Sequence, residues 1–379
     1  MKIFIVTAYF YPIPCPRSFR ATELALEFAK RGHEVVVYNA TTSIGFDYVK
    51  YESENCIKII NLDIMNDRVS DSKSKVIKSK LMLKLFLYIR IVLFYFTSGR
   101  LLTMALGLKR KLVFYDECDL LLSIGLPFQI HWAVARIAKK HKIADCYVAD
   151  YGDPFSKNNS NIKVAKYFQY IEKNSISEFD YISVPTSKVV NDYLWLKDKS
   201  KIKVIPQGFD LSNIELNKYI PNEVPVFGYA GLFYSDIRNP KSFFEYLCGL
   251  DVDFVFIIYT NINNADSFSC IEPYIDRLGS KLVINDLVGR NELIYQFSSI
   301  DFIININNTT KNQIPSKLID YALTKRPIFS LDQVHFNVKV FELFMVGNYS
   351  GKEDIDISEN DIVCVVDKYL DLHKSKISN

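Results

Sequence analysis

A chain of 379 residues with 49% hydrophobic content has room for two domains of about 150–200 residues, each with its own core. Its net charge of +3 makes no global case for a nucleic-acid partner. The seven cysteines, at 15, 56, 118, 146, 248, 270 and 364, stand singly without C-x-x-C or Cys/His pairing, which speaks against a zinc site and a disulfide framework and fits a reducing cytosol. The opening residues, M-K-I-F-I-V-T-A-Y-F, are only as long as a strand and carry no small-residue cleavage site, so no signal peptide is expected.

Residues 2–8 read as a buried strand, followed by a proline-rich loop at 9–20 and a helix through Lys30 with Ala21, Leu24, Ala25 and Phe28 on one face. Gly32 closes that helix and Val35–Tyr38 supply a second strand, giving a βαβ unit and hence a parallel sheet. Ligands of such sheets bind beyond the carboxyl ends of the strands, where Arg17 and Arg20 are expected to face a ligand crevice; two solvated cations at a helix start are the plainer alternative. Cys56–Leu62 reads as a third strand. Residues 72–115 carry ten Lys or Arg and no acidic residue, and within them Leu81–Phe96 is almost wholly apolar, broken by Lys84 and Arg90. Sixteen residues with two internal charges are short for a membrane span. Two readings stand: a basic helix lying in the interface of an anionic membrane, or a helix packed inside the first domain with its cations snorkelling outward.

Leu120–Ile124 is another buried strand, ending in G-L-P-F, and the helix Gln129–Lys140 follows with His131 in its first turn. Asp145–Asp150 is the next strand and opens into Y-G-D-P-F, placing Asp153 where a carboxylate meets a sugar hydroxyl or simply begins a turn. Strands at Tyr181–Pro185 and Ile202–Pro206, with a helix near Lys188–Trp195, close this half. Residues 211–224 read as a linker. A second α/β set starts with V-F-G-Y-A-G and runs through helix 241–249, strand Phe254–Tyr259, helix 268–278, strand Leu282–Val288, helix 291–298 and strand 301–306. The stretch Q-I-P-S-K-L-I-D-Y-A-L-T-K-R-P then reads as loop, short helix and strand. Pro315 suits the first turn, Ser316 is a candidate cap, and the amides of such a helix start form an anion site. Lys317 there opposes the helix dipole, a penalty that an anionic ligand removes. Glu359–Lys374 reads as an amphipathic helix. The expected site is the crevice between the two parallel α/β domains.

With these segments in order, the sequence resembles the two-domain GT-B glycosyltransferases, in particular the large retaining group, family 4-like, that builds bacterial surface polysaccharides. The resemblance covers nearly the whole chain and is weakest at 45–110 and after 335. It rests on KIFIVTAYFYP with ELALEFAKRGHEVVVY, on LLLSIGLPFQIHWAVARIAKK, VADYGDPF and KIKVIPQGFD, and later on FGYAGLFYSDIRNP and PSKLIDYALTKRPI. It implies a Rossmann-like acceptor-side domain at 1–210 with a membrane-contact candidate at 72–111, a linker at 211–224, a nucleotide-sugar domain at 225–358, and a C-terminal helix at 359–379 packing back toward the first domain.

The same resemblance implies roles. The loop after Gly231 approaches the donor diphosphate, with Arg238 or Lys241 as one cation and Lys317 as the other, beside the amides at Pro315 and Ser316. Asp320 takes the place of the glutamate that holds the ribose hydroxyls, and Val288 lies where backbone groups meet the base. His131, Arg17, Arg20 and Asp153 face the transferred sugar and the acceptor. The family's Glu-x7-Glu pair is broken here: Asn312 stands at the first position, with Gln313 beside it as the substitute sugar contact. The diglycine of the first loop is replaced by P-I-P-C-P. Asp251-Val252-Asp253 fits the D-x-D metal pattern but precedes a strand instead of following one, and is read as a turn.

The expected activity is retaining, metal-independent transfer of a hexose from a UDP- or GDP-sugar to a lipid-linked saccharide in O-antigen, capsule or related polysaccharide synthesis, with no cofactor. The expected location is the cytoplasm or the inner face of its membrane. The competing readings are a nucleotide-sugar epimerase or hydrolase of the same fold, and a non-catalytic GT-B partner.

Overall fold

Runs of valine, isoleucine, leucine and phenylalanine buried on both faces become the strands of two all-parallel sheets, as expected when crossover helices cover each face. In the computed structural model the chain divides into two units, Met1–Asp210 with Glu359–Asn379, and Leu211–Ser358. The structure describes residues 1–67, 80–98, 100–157, 163–212, 214–235, 238–307, 316–332 and 336–378.

The first unit runs β1 (Lys2–Thr7), α1 (Pro16–Lys30), β2 (Glu34–Ser43), α2 (Tyr48–Asn55), β3 (Lys58–Asp67), α3 (Lys80–Thr97), α4 (Arg100–Lys111), β4 (Cys118–Ile124), α5 (Gln129–Ala138), β5 (Ala144–Asp150), α6 (Tyr167–Ile176), β6 (Tyr181–Val184) and β7 (Ile202–Val204). The second runs β8 (Val226–Ala230), α7 (Lys241–Cys248), β9 (Val255–Tyr259), α8 (Ala265–Leu278), β10 (Leu282–Asn285), α9 (Arg290–Phe297), β11 (Phe302–Ile306), α10 (Ser316–Leu323), β12 (Ile328–Leu331) and α11 (Val338–Met345). The last helix, α12 (Ile362–Ile377), belongs to the first unit.

The first sheet has the order β3-β2-β1-β4-β5-β6-β7 and the second β10-β9-β8-β11-β12. In β1, Phe4 and Val6 pack on the side of α4 and α5, whereas Ile3 and Ile5 pack on the side of α1 and α12, the period-two alternation of a strand covered twice. Pro16 opens α1, where a missing N–H costs nothing, and Ala21, Leu24, Ala25 and Phe28 form its buried stripe. The second unit is filled by phenylalanine: Phe227 stacks on Phe302 with centroids 4.9 Å apart, and Phe243, Phe244 and Phe341 close the same core. The segment expected as a helix near Lys188–Trp195 is a 3₁₀ turn at Ser187–Tyr193.

The basic apolar segment divides in two. By length and composition Tyr88–Lys111 passes for a membrane span. However, Ser98 takes a left-handed φ of 54° and ends α3, and α4 buries Met104 and Leu108, with Leu112 just beyond it, in the core of the first unit. The packed-helix reading therefore describes α4. It does not describe residues 88–96 of α3, where Tyr88 and Ile91 are each 66% exposed and Leu93 and Phe96 more than half exposed.

Candidate active site

At the carboxyl end of β8, Gly231 takes a φ of 128°, a conformation that only glycine adopts readily, and its N–H donates to the Tyr259 carbonyl at the end of β9 at 2.8 Å. Lys317, second residue of α10, fills the space that a side chain at Gly231 would need: a Cβ there would lie 1.9 Å from Nζ. The ammonium sits 4.8 Å from the centre of the Tyr229 ring and donates to the Tyr229 hydroxyl at 3.3 Å. Arg238 also hydrogen-bonds that hydroxyl, and its Nη1 donates to the Leu232 carbonyl at 3.2 Å. Tyr321 fastens α10 to the same loop, its hydroxyl accepting from the Ala230 N–H at 2.9 Å and donating to the Ala230 carbonyl at 3.1 Å.

Two cations thus lie side by side, and among the described residues no carboxylate pairs with Lys317. Burial first, and the Arg238 charge second, push the Lys317 ammonium down to about 7. An anion drawn between them relieves both effects, and the first turn of an α-helix supplies N–H groups for the same ligand. One turn along α10, Asp320 accepts a hydrogen bond of 2.6 Å from Arg290 Nε. Burial raises the Asp320 carboxyl, with Arg290 opposing. Arg290 opens α9 directly behind Gly289, next to the exposed Val288. The sequence reading has no place for Arg290 or Tyr229, because nothing in the spacing ties either to α10.

In the first unit the corresponding strand ends converge on Asp150, which is 1% exposed. Its Oδ1 accepts from Arg20 Nη2, Ser183 Oγ and the Tyr369 hydroxyl, each at 2.8 Å, and its Oδ2 accepts from Arg20 Nε and Arg17 Nη1, each at 3.2 Å. Burial alone would raise this carboxyl, but Arg20 and Arg17 hold it below its ordinary value. Arg20 spends its remaining donors on the Ile205 and Pro206 carbonyls and on Tyr369. The expectation that Arg20 faces a ligand is corrected by this burial: Arg20 is an interior strut. Arg17 donates to the Gly125 carbonyl at 3.3 Å and to Asp150, and its Nε and Nη2 make no hydrogen bond among the described residues.

His131 is also corrected. It is fully buried, its Nδ1 shares a 2.7 Å hydrogen bond with Ser123 Oγ, and its Nε2 has no partner among the described residues. Burial pushes the ring down to about 3, so the imidazole is neutral near pH 7. A Cβ at Gly125 would lie 2.6 Å from Nε2, so the turn after β4 covers the nitrogen expected to meet substrate. His131 supports that turn from behind. Asp153 lines a cavity of about 10 Å³ with His131, Tyr151 and Phe155.

No protein-family model matches the sequence, and neither does any curated protein. Solved structures do match over the full length. A glycosyltransferase from Rickettsia africae superposes with a TM-score of 0.60 at 14% identity, over 100% of this chain and 99% of that one. Anabaena HepE in complex with UDP-glucose gives 0.56 at 11% identity, over 99% and 100%. The UDP-GlcNAc 2-epimerase of Neisseria meningitidis, bound to UDP-GlcNAc, gives 0.50 at 14% identity, over 100% and 93%.

The fold is GT-B.

Other residues singled out in the sequence fall in varied places on this GT-B frame. Lys241 lies exposed in the first turn of α7, and Arg238 is the cation whose charge reaches Lys317. Ser316 begins α10. Asn312, Gln313 and Pro315 lie outside the described residues. Asp251 and Asp253 are exposed between α7 and β9, Asp253 lying 3.9 Å from Lys281. One trio of metal-ligand type, Asp119, Asp145 and His373, has ligand atoms within 4.8 Å of one another. It sits at the amino ends of β4 and β5, away from the ligand-binding ends of a GT-B sheet.

Proposed function

We propose that the chain is a glycosyltransferase that moves a hexose from a UDP- or GDP-linked donor to a lipid-linked saccharide of a bacterial surface polysaccharide, such as O-antigen or capsule. The reaction proceeds with retention and without a metal ion or other cofactor. The observation that carries this reading is the pair of cations, Lys317 and Arg238, gathered on the glycine backbone at Gly231. Breaking the anomeric C–O bond leaves negative charge growing on the diphosphate. Fixed cations and helix-terminal amides meet that charge without reorganising, and losing one such group typically costs 10²–10³ in rate. Asp320, held by Arg290, accepts the ribose hydroxyls, and the loop at Val288 approaches the base. Arg17 keeps its free donors for the acceptor side, next to Asp153. The UDP-glucose found in HepE supports a nucleotide sugar as the ligand of this fold.

The exposed apolar face of α3, set in a segment of ten cations and no carboxylate, supports peripheral contact with the anionic inner face of the cytoplasmic membrane, where a lipid-linked acceptor resides. A second reading, nucleotide-sugar epimerisation or hydrolysis, rests on the epimerase that shares the fold.

The test is a thermal-shift panel of UDP- and GDP-sugars on the wild type and on Lys317→Ala. One family of nucleotide sugars is expected to stabilise the wild type and not the variant. Stabilisation by none of them, or equal stabilisation of both proteins, sinks the donor site. Product analysis with and without added polyprenyl-diphosphate saccharide then separates transfer from epimerisation or hydrolysis.

A further inference from the structure

One cavity of the first unit lies away from the site above. It is a groove of about 190 Å³ between α5 and α6, lined by Trp132, Arg136, Lys139, Tyr170 and Asn174. Arg136 is half-buried and has no hydrogen bond or ion pair among the described residues, whereas Lys139 Nζ donates to Asn174 Oδ1 at 2.9 Å and lies 3.8 Å from Glu178. Tyr170 is 75% exposed at the rim. A guanidinium, an ammonium and an amide facing one groove with an aromatic rim are the donors that a phosphodiester accepts from, with an apolar edge beside them.

The groove is physically joined to α3. The Ala165 N–H, just ahead of α6, donates to the Tyr95 carbonyl at 2.9 Å, and the Tyr167 hydroxyl donates to the Phe96 carbonyl. Gln129, first residue of α5, donates from Nε2 to Ser98 Oγ at 2.9 Å. Both helices therefore start against the end of α3, and the groove opens at Trp132 and Tyr170, three residues further along each. That is about 5 Å of helix rise, less than the thickness of a headgroup layer. The charge continues as well. Residues 129–142 hold four Lys or Arg and no carboxylate. Residues 163–175 hold three Lys and one carboxylate, Glu172, which is buried and bonded to Tyr151 and Ser156. An apolar helix, an aromatic rim and a groove whose Arg136 has no carboxylate partner among the described residues follow one another as acyl chain, interface and headgroup do in a leaflet.

We propose that the α5–α6 groove binds the phosphodiester headgroup of an anionic phospholipid while the exposed face of α3 lies at the acyl boundary. The proposal rests on the peripheral-membrane reading above and adds to it a defined lipid site with Arg136 as its main phosphate ligand.

The experiment is vesicle co-sedimentation with phosphatidylcholine alone and with added phosphatidylglycerol. The proteins are the wild type, the groove variant Arg136→Gln/Lys139→Gln, the control Lys163→Gln/Lys166→Gln at exposed positions just ahead of α6, and Ile91→Glu/Phe96→Ser on α3. Melting temperatures verify folding. The wild type is expected to prefer phosphatidylglycerol, and the groove variant to lose about 30-fold of that preference, the effect of two interfacial cations. The control should lose clearly less. Equal losses in control and groove variants would reduce the effect to general surface charge and overturn the site. Dihexanoyl phosphatidylglycerol below its micellar concentration provides the second arm. It should protect 132–139 and 170–175 from hydrogen exchange, and no protection overturns the proposal. So does equal protection by inorganic phosphate, which makes the groove a free-phosphate site. A wild type that binds neither vesicle, with α3 intact, removes the membrane reading. The soluble-lipid arm still decides the groove.

Discussion

Lys317 is held in a state that favours neutrality, which gives the proposed donor site a pH signature. Its ordinary value is 10.5 and the folded, empty site lowers it to about 7. Between those values the unfolded chain binds the proton and the folded chain does not, so this group costs stability fully below pH 7, and the cost fades as pH rises toward 10.5. Lys317→Met should therefore raise the melting temperature of the empty protein near pH 6, by roughly 2–4 °C for each kcal/mol relieved, while abolishing the shift produced by nucleotide. In the wild type a diphosphate restores the charge, so binding above pH 7 should take up a proton. Calorimetry in two buffers of different ionisation enthalpy measures that uptake. Identical heats in both, after correction, would falsify the neutral-lysine account. Gly231→Ala should match Lys317→Ala in loss of nucleotide binding, because the new methyl claims the position of Nζ. Asp150→Asn leaves Arg20 buried without its counter-charge and should cost about 3–5 kcal/mol in denaturant unfolding. Titrating nucleotide into Asp150→Asn at a temperature where it stays folded checks that the second unit is unaffected.

At the scale of elements, helices announced themselves where they bury a stripe and stayed hidden where they do not. The regular spacing of Ala21, Leu24, Ala25 and Phe28 makes α1 readable, whereas α2 buries no residue and so shows no period. The break at Ser98 leaves a trace, since Thr97-Ser98-Gly99-Arg100 interrupts the apolar run, but the left-handed backbone there is not legible. Lys317 could be picked out because a cation in the first turn of a helix opposes local rules. Arg20 could not be placed, because its partner lies 130 residues away on β5. For His131, position in a helix is legible but burial behind Gly125 is not. The contact of α12 with the first unit is testable as an element. Tyr369 donates to Asp150 and packs fully buried over α1. Tyr369→Phe removes one of three hydrogen bonds to the charged Asp150 Oδ1 and should cost about 1.5–3 kcal/mol, measured by urea unfolding, and removal of 362–379 should unfold the first unit outright.

The whole molecule has two separate cores with different sensitivities to acid. The Asp150 carboxyl is held below 3.8 in the first unit, so its stabilisation is present above that value and is lost as pH falls through the folded one. In the second unit the buried Asp320 is raised instead and offers no such reserve to lose. Hydrogen exchange during acid titration should show peptides from 1–210 and 359–379 losing protection at a pH where those from 225–358 still keep theirs; the reverse order would contradict the assignment of Asp150 as the acid-labile strut. The general architecture was legible because parallel sheets covered on both faces demand continuous apolar strands, which survive in the sequence as runs such as residues 120–124 and 301–306. The chemistry of the site was legible only as far as local rules reach.

The return of α12 to the first unit also has a bearing on how the chain is made. On a ribosome the strands of the first sheet emerge early, but the helix that covers one of its faces, and the hydroxyl that completes the Asp150–Arg20 cluster, are translated only after the whole second unit. The second unit, contiguous from 211 to 358, can finish folding while the first still waits with an uncovered apolar face. Synthesis thus completes the later unit before the earlier one. A premature stop just ahead of α12 would release a polypeptide with an intact second unit and a first unit that chaperones and proteases recognise as unfinished.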